Sequence, residues 1–184
     1  MTKLTPQKLI PFSQASKTKD YEQWVHFYEK DEVILRVWNQ PRKYLPMLKK
    51  FHGVISPDFS VQRNMPFTLQ AMSITMGRAL GNFWQQNLIE VIPNVRFNGE
   101  KTYDIAFDGL DEHANLAIGT LGCLRNKEER KIFEAGLEEM MNRLHPKNLI
   151  VYGDMPPNIF DQYKDETNLI NFPSRISVVH GRKK

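Results

Sequence analysis

Apolar residues recur at spacings of three and four in two long stretches of the chain. Over 67–88, Leu69, Met72, Met76, Leu80 and Phe83 keep that spacing, which predicts a helix with one apolar stripe, entered through Asn64 and Pro66. Gly77 and Gly81 lie four apart on it, so that side can approach a sheet closely. The second stretch carries Phe133, Leu137, Met140, Met141 and Leu144, with Asn126 and Glu129 as a capping pair and Pro146 as its end.

Shorter apolar runs predict strands. These are 32–38, from its β-branched and aromatic content, 53–56, 89–97 with a break or bulge at Pro93, 114–119, 148–153 and 174–181. Residues 102–110 alternate Tyr103, Ile105 and Phe107 against Asp104, Ala106 and Asp108, the pattern of a strand with one polar face. Short helices are expected over 21–30, over 41–51 with a break at Pro46, and over 156–165. Residues 1–20 are polar and read as a flexible N-terminal arm, and 182–184 as a basic tail.

Strands that alternate with crossover-length helices imply an α/β fold: one domain over 21–181 with a mainly parallel sheet flanked by helices. It is either an open three-layer sandwich or a partial β/α barrel. At 184 residues, 41% of them hydrophobic and 25% charged, the chain suits one globular domain. No apolar run approaches the roughly 20 residues of a membrane span, and the N-terminus lacks the apolar core of a signal peptide, so a cytoplasmic protein with no membrane partner is expected.

Cys123 is the only cysteine, which excludes an internal disulfide and a cysteine-cluster zinc site. The formal charge of +4 slightly favours polyanionic partners. The five histidines, His26, His52, His113, His145 and His180, show no metal-binding spacing, although His113 and His180 lie within reach of a site.

Ligands of parallel α/β sheets bind at the carboxyl ends of strands. At or just past the carboxyl ends of the expected strands are Ser56, Asp58, Ser60 and Arg63, then Asn94 and Arg96 late in 89–97, then Asp108 after Asp104-Ile105-Ala106-Phe107, and Thr120 and Asp154. Asp58, Asp108 and Asp154 are the candidate catalytic acids, and Ser56, Ser60, Arg63, Asn94, Arg96 and Thr120 the candidate substrate-binding residues. Three carboxylates brought together would hold a divalent cation, and an adjacent arginine a phosphate oxygen, which would make a nucleotide or nucleic-acid phosphate site. Each acid also has an ordinary alternative: Asp58 after Pro57 and Asp108 before Gly109 as turn residues, Asp154 as a helix cap.

Other features carry less. Gly119-Thr120-Leu121-Gly122 lacks the lysine of a Walker loop and reads as a tight turn. Cys123 has no neighbouring basic pattern and reads as a buried thiol, and Trp24, Trp38 and Trp84 as core anchors. A homo-oligomer through methionine-rich helices is an option, but the eight methionines serve equally as core fillers.

Four blocks, Ser-Pro-Asp-Phe-Ser at 56–60, Val-Ile-Pro at 91–93, Phe-Asp-Gly at 107–109 and Gly-Cys at 122–123, resemble a domain-of-unknown-function family of bacteria, their phages and other mobile elements, across about residues 30 to 180. That family's pattern has Ser-Trp where this chain has Arg96-Phe97, and Ser where it has Gly119. The resemblance implies a phage or mobile-element setting and brings no catalytic residues with it. The expectation is a protein that binds or processes a nucleotide or nucleic-acid phosphate. The alternative is a non-catalytic accessory protein that binds a host or mobile-element macromolecule through a surface.

Overall fold

Among the described residues, seven parallel strands stand in the sheet in the order in which they occur in the chain. The computed structural model that shows this describes residues 4–174. One ladder holds β1 (Leu9–Pro11), β2 (Trp24–His26), β3 (Gly53–Ile55) and β4 (Val91–Ile92); the other holds β5 (Asn115–Gly119), β6 (Asn148–Tyr152) and β7 (Asn168–Phe172). An isolated bridge between Asn94 and Ala117 joins them: Val95 N–H donates to Ala117 O at 2.7 Å and Ala117 N–H to Pro93 O at 2.9 Å. The helices are α1 (Phe12–Ala15), α2 (Asp31–Asn39), α3 (Pro41–Leu48), α4 (Phe67–Gln86), α5 (Tyr103–Phe107), α6 (Lys127–Leu144) and α7 (Pro157–Phe160).

Sequential strand order decides between the two expected architectures. Right-handed crossovers that always step the same way leave every helix on one side of the sheet. On that side Val25, Val54 and Val91 pack with Ile34, Val37, Leu80 and Trp84, while Leu116, Ile118, Leu149 and Val151 pack with Phe133, Leu137, Met140 and Met141. On the other side Trp24, Ile55, Ile92, Ala117 and Ile150 form a cluster with Leu9 of β1 and Ile170 of β7, and no helical residue joins it. A sheet whose inner face is covered by its own first and last strands is curled. The fold is a partial β/α barrel, and among the described residues no pairing of β1 with β7 closes it. Both faces of β5 and β6 are covered, so all five residues of each are buried and their sequences read as continuous apolar runs.

Register in the second ladder is pinned by a row of asparagines at its amino end. Asn168 Nδ2 donates to Asn148 Oδ1 and Asn148 Nδ2 to Asn115 Oδ1, each at 2.7 Å, and Asn115 Nδ2 donates to Leu4 O at 2.9 Å. These residues face one another directly in the pairing.

Several expected elements differ. Residues 32–38 lie in α2, whose first turn holds Asp31 and Glu32 at the positive end of the helix dipole, and Ile34 and Val37, three apart, are its buried residues. The alternation over 102–110 also fits a helical turn: Tyr103, Ala106 and Phe107 are buried at i, i+3 and i+4 in α5. Within 21–30, Trp24, Val25 and His26 are all buried and form β2. Part of the expected arm is the edge strand β1, paired with β2 residue for residue. The final strand among the described residues is β7; the one expected over 174–181 and the basic tail lie outside them, apart from Ser174.

In α4 the buried stripe is Gln70, Ile74, Gly77, Gly81 and Trp84 with Met76 and Leu80, whereas Leu69 and Met72 are exposed. A Cβ at Gly77 would stand 2.6 Å from Pro57 O, and one at Gly81 3.2 Å from Ser56 Cβ. The glycine pair therefore seats α4 on the turn that leaves β3, as its spacing suggested.

Candidate functional site

The chain leaves β3 through Ser56-Pro57-Asp58. Ser56 is still in the ladder, its N–H donating to Ile92 O at 2.9 Å, and its Oγ accepts the Asn94 N–H at 2.8 Å. Asn94 follows β4 and uses both ends of its amide: Nδ2 donates to Asp58 Oδ1 and Oδ1 accepts from the Tyr28 hydroxyl, each at 2.9 Å. Asp58 Oδ2 faces Arg96 Nη1 at 3.8 Å, and that same Nη1 donates to Cys123 Sγ at 3.2 Å. Arg96 Nε is buried without a hydrogen-bond partner. Loops after β2, β3, β4 and β5 thus meet in one polar network at the carboxyl end of the curled sheet.

Gly119, the last residue of β5, makes room for it. A Cβ there would lie 2.9 Å from the Tyr28 ring and 3.3 Å from Asp58 Oδ2. Gly122, in the following turn, is instead required by its φ of +79°, since no atom crowds it. Tyr28 stacks on Tyr152, which ends β6, with centroids 4.5 Å apart and planes 6° from parallel, and the His26 ring lies 4.6 Å from that of Tyr152. This aromatic stack caps the sheet's interior cluster.

Burial, and next the negative charge of Asp58, push the Tyr28 phenol well above its ordinary value. Burial works against the charge on Arg96, but Asp58 and then Cys123 outweigh it, so the guanidinium is held firmly protonated. Burial pushes the Cys123 thiol up, with Arg96 opposing. Cys123 is therefore a thiol in contact with a cation; it is half-buried rather than buried, and Arg96 is a basic neighbour that its sequence surroundings do not show.

Outward of this network lies a cavity of about 520 Å³, lined among others by Ser60, Arg63, Arg96, Cys123, Arg125 and Asn126. The charged residues in its wall are three arginines, Arg63, Arg96 and Arg125, and one carboxylate, Glu129. The amino end of α6 opens onto it. Asn126 caps that helix, its Oδ1 accepting the N–H groups of Glu128 at 3.1 Å and Glu129 at 2.9 Å, so the expected capping position is occupied as read.

The structure brings Ser56, Asp58, Asn94 and Arg96 together and puts Ser60 and Arg63 on the adjoining cavity. Ser60 is held by Asp31, whose Oδ1 accepts its N–H at 3.1 Å and its hydroxyl at 3.2 Å, and Arg63 pairs with Glu128 at 2.5 Å. Thr120 is buried and its N–H donates to Tyr152 O at 3.0 Å. Asp154 is exposed beyond β6.

Asp108 does not follow a strand, because its segment is α5. It lines a separate cavity of about 610 Å³ between α4 and α5, with Ser56 and Arg78. Burial lowers the Arg78 pKa, with Asp108 opposing, and Arg78 Nη1 donates to Ile105 O at 3.2 Å and Ala106 O at 3.3 Å. Among the described residues no three His, Cys, Asp or Glu side chains form a group able to hold a metal ion. The expected three-acid cation site is thus not assembled among the described residues.

Tyr28, Tyr152 and Arg125 were not anticipated at the site. Tyr28 lies two residues past β2 and would have been found had 24–26 been read as a strand. His113 sits at the opposite end of the sheet, its Nδ1 3.0 Å from His145 O, and His180 lies outside the described residues.

A family model described as a domain of unknown function (DUF4417) matches residues 1–173. The "Gene 1 protein" of Mycobacterium phage D29 is 33% identical over 145 residues, covering 79% of this chain and 52% of that protein. The "Gene 1 protein" of Mycobacterium phage L5 is 32% identical over 131 residues, covering 71% of this chain and 57% of that protein. The chain spans about half the length of the curated relatives it matches. No solved structure matches it. The resemblance seen in the four short blocks therefore extends over nearly the whole chain, which belongs to the DUF4417 family, a domain of unknown function with relatives encoded by mycobacteriophages.

Proposed function

We propose that this domain binds a phosphate-bearing ligand, a nucleotide or nucleic acid, in the cavity at the carboxyl ends of β3, β4 and β5. The observation that carries the reading is the composition of its wall: Arg63, Arg96 and Arg125 line it with Glu129, Arg63 and Arg96 being paired with Glu128 and Asp58 behind them, and the amino end of the 18-residue α6 lies beside them. Guanidinium groups bind phosphate oxygens in pairs, and helix amino ends favour anions. Asp58 and Asn94 position Arg96 in this reading rather than performing chemistry.

The test is a fluorescence anisotropy titration of the protein with labelled ATP and a labelled oligonucleotide at low salt. Saturable binding that weakens about tenfold or more in Arg125→Glu supports the reading. Absence of binding to every phosphate-bearing probe, or binding indifferent to Arg125→Glu, overturns it.

A second reading, an accessory protein that docks on a macromolecule through a surface, is favoured by Leu69 and Met72, 48% and 54% exposed on the first turns of α4. A macromolecule that co-purifies with the protein, and is lost in Leu69→Ser/Met72→Ser while ATP binding persists, would support it.

A further inference from the structure

The arginine-lined cavity does not end at Arg63. A second cavity of about 600 Å³ adjoins it, with Arg63, Asn98 and Ile132 lining both, and its own wall adds Lys101, Lys131 and Phe67. Together the two walls carry five cations, Arg63, Arg96, Arg125, Lys101 and Lys131, against the carboxylates of Glu100 and Glu129. Arg63 and Arg96 are paired, with Glu128 and Asp58. Among the described residues no carboxylate lies within 4 Å of Arg125, Lys101 or Lys131, so the unpaired cations stand at both ends of the groove.

We infer that the groove takes single-stranded nucleic acid, with successive phosphates running from Arg125 past Arg63 to Lys101 and Lys131. This rests on the phosphate-binding reading above and names its ligand class. Each cavity alone is the size of a small-ligand pocket, roughly 300–1,000 Å³, but a single nucleotide would leave the cations of the other without an anion. Distributed cations along a groove match a backbone, whose affinity comes from neutralising several phosphates at once. Phe67 selects the single strand: its side chain is 48% exposed in the wall of the second cavity, and an exposed aromatic face stacks on a base only when that base is unpaired.

The inference is tested by anisotropy with a labelled oligo(dT) of about 12 nucleotides, a duplex of the same length and labelled ATP, at two salt concentrations. The strand should bind most tightly. Lys101→Glu/Lys131→Glu, at exposed positions, should weaken it at least about tenfold and flatten the slope of log K against log salt by about 1.4, two contacts at ~0.7 each. Phe67→Ala should cost roughly tenfold for the strand and nothing for ATP. If ATP and the strand bind equally and the lysine variant matches the parent protein, the strand inference is overturned while phosphate binding stands. Tighter binding of the duplex also overturns it. If no probe binds, both readings fall.

Discussion

Asn94 donates from Nδ2 to Asp58 Oδ1 at 2.9 Å, tying the residue after β4 to the turn after β3. That bond leaves Asp58 Oδ2 turned to Arg96, so one asparagine sets the geometry of a carboxylate and, through it, of a guanidinium.

Removing the carboxylate strands the cation. The side chains of Arg96 and Asp58 are only 18% and 15% exposed, and Asp58→Ala should destabilise the fold by about 3 kcal/mol, the lower end for breaking a buried pair. Asp58→Asn preserves an oxygen for Asn94 and should lose less. Urea melts of both variants check this; equal losses would mean that the bond to Asn94 contributes nothing and that the charge of Asp58 carries the whole effect.

Gly136 lies inside α6, where alanine is ordinarily better by about 1 kcal/mol. Here a Cβ would overlap the buried ring of Phe97, and overpacking of about 1–3 kcal/mol wins. Gly136→Ala should therefore lower the melting temperature, and Phe97→Leu in the same chain should restore part of the loss. A melting temperature raised by Gly136→Ala would show that the ring yields freely.

The asparagine row should be as sensitive as a packed core position. Asn148→Ala removes the bond to the Oδ1 of buried Asn115, at a cost of about 1–3 kcal/mol, while the Nδ2 of exposed Asn168 can turn to water. Equilibrium unfolding gives the number. A loss under about 0.5 kcal/mol, the ordinary surface value, would remove the row from the account of register.

Alkaline pH should act through Tyr28. Its folded pKa lies above the ordinary value of about 10, so the folded protein keeps the proton to higher pH than the unfolded chain. The associated stability is present in full below about pH 10 and is lost as pH rises from there through the folded value. Tyr28→Phe removes the hydroxyl bond to Asn94, costing about 1 kcal/mol at neutral pH, and should flatten this alkaline decline. Unfolding midpoints of both proteins from about pH 8 to about pH 11 show the difference; parallel curves would assign the decline to other groups.

Periods were legible in the sequence wherever they ran long enough. The 20 residues of α4 and 18 of α6 repeat their apolar spacing several times, and β5 and β6 are continuous apolar runs because both of their faces are covered. The strands β1 to β4 have two or three residues each, too few to display a period of two, so β1 and β2 passed for arm and helix. Ser56, Asp58, Asn94 and Arg96 were found because they follow strands that were read. Tyr28 was missed because it follows one that was not, and Asp108 was grouped with them only because α5 alternates like a strand over its few residues.

The bridge at Asn94 and Ala117 is where the backbone of one ladder pairs with that of the other. Two backbone hydrogen bonds cross there. Asp58, Asn94 and Arg96 stand on one bank, Gly119 and Cys123 on the other. A ligand in contact with both banks at once would bridge the two ladders beside that backbone pairing.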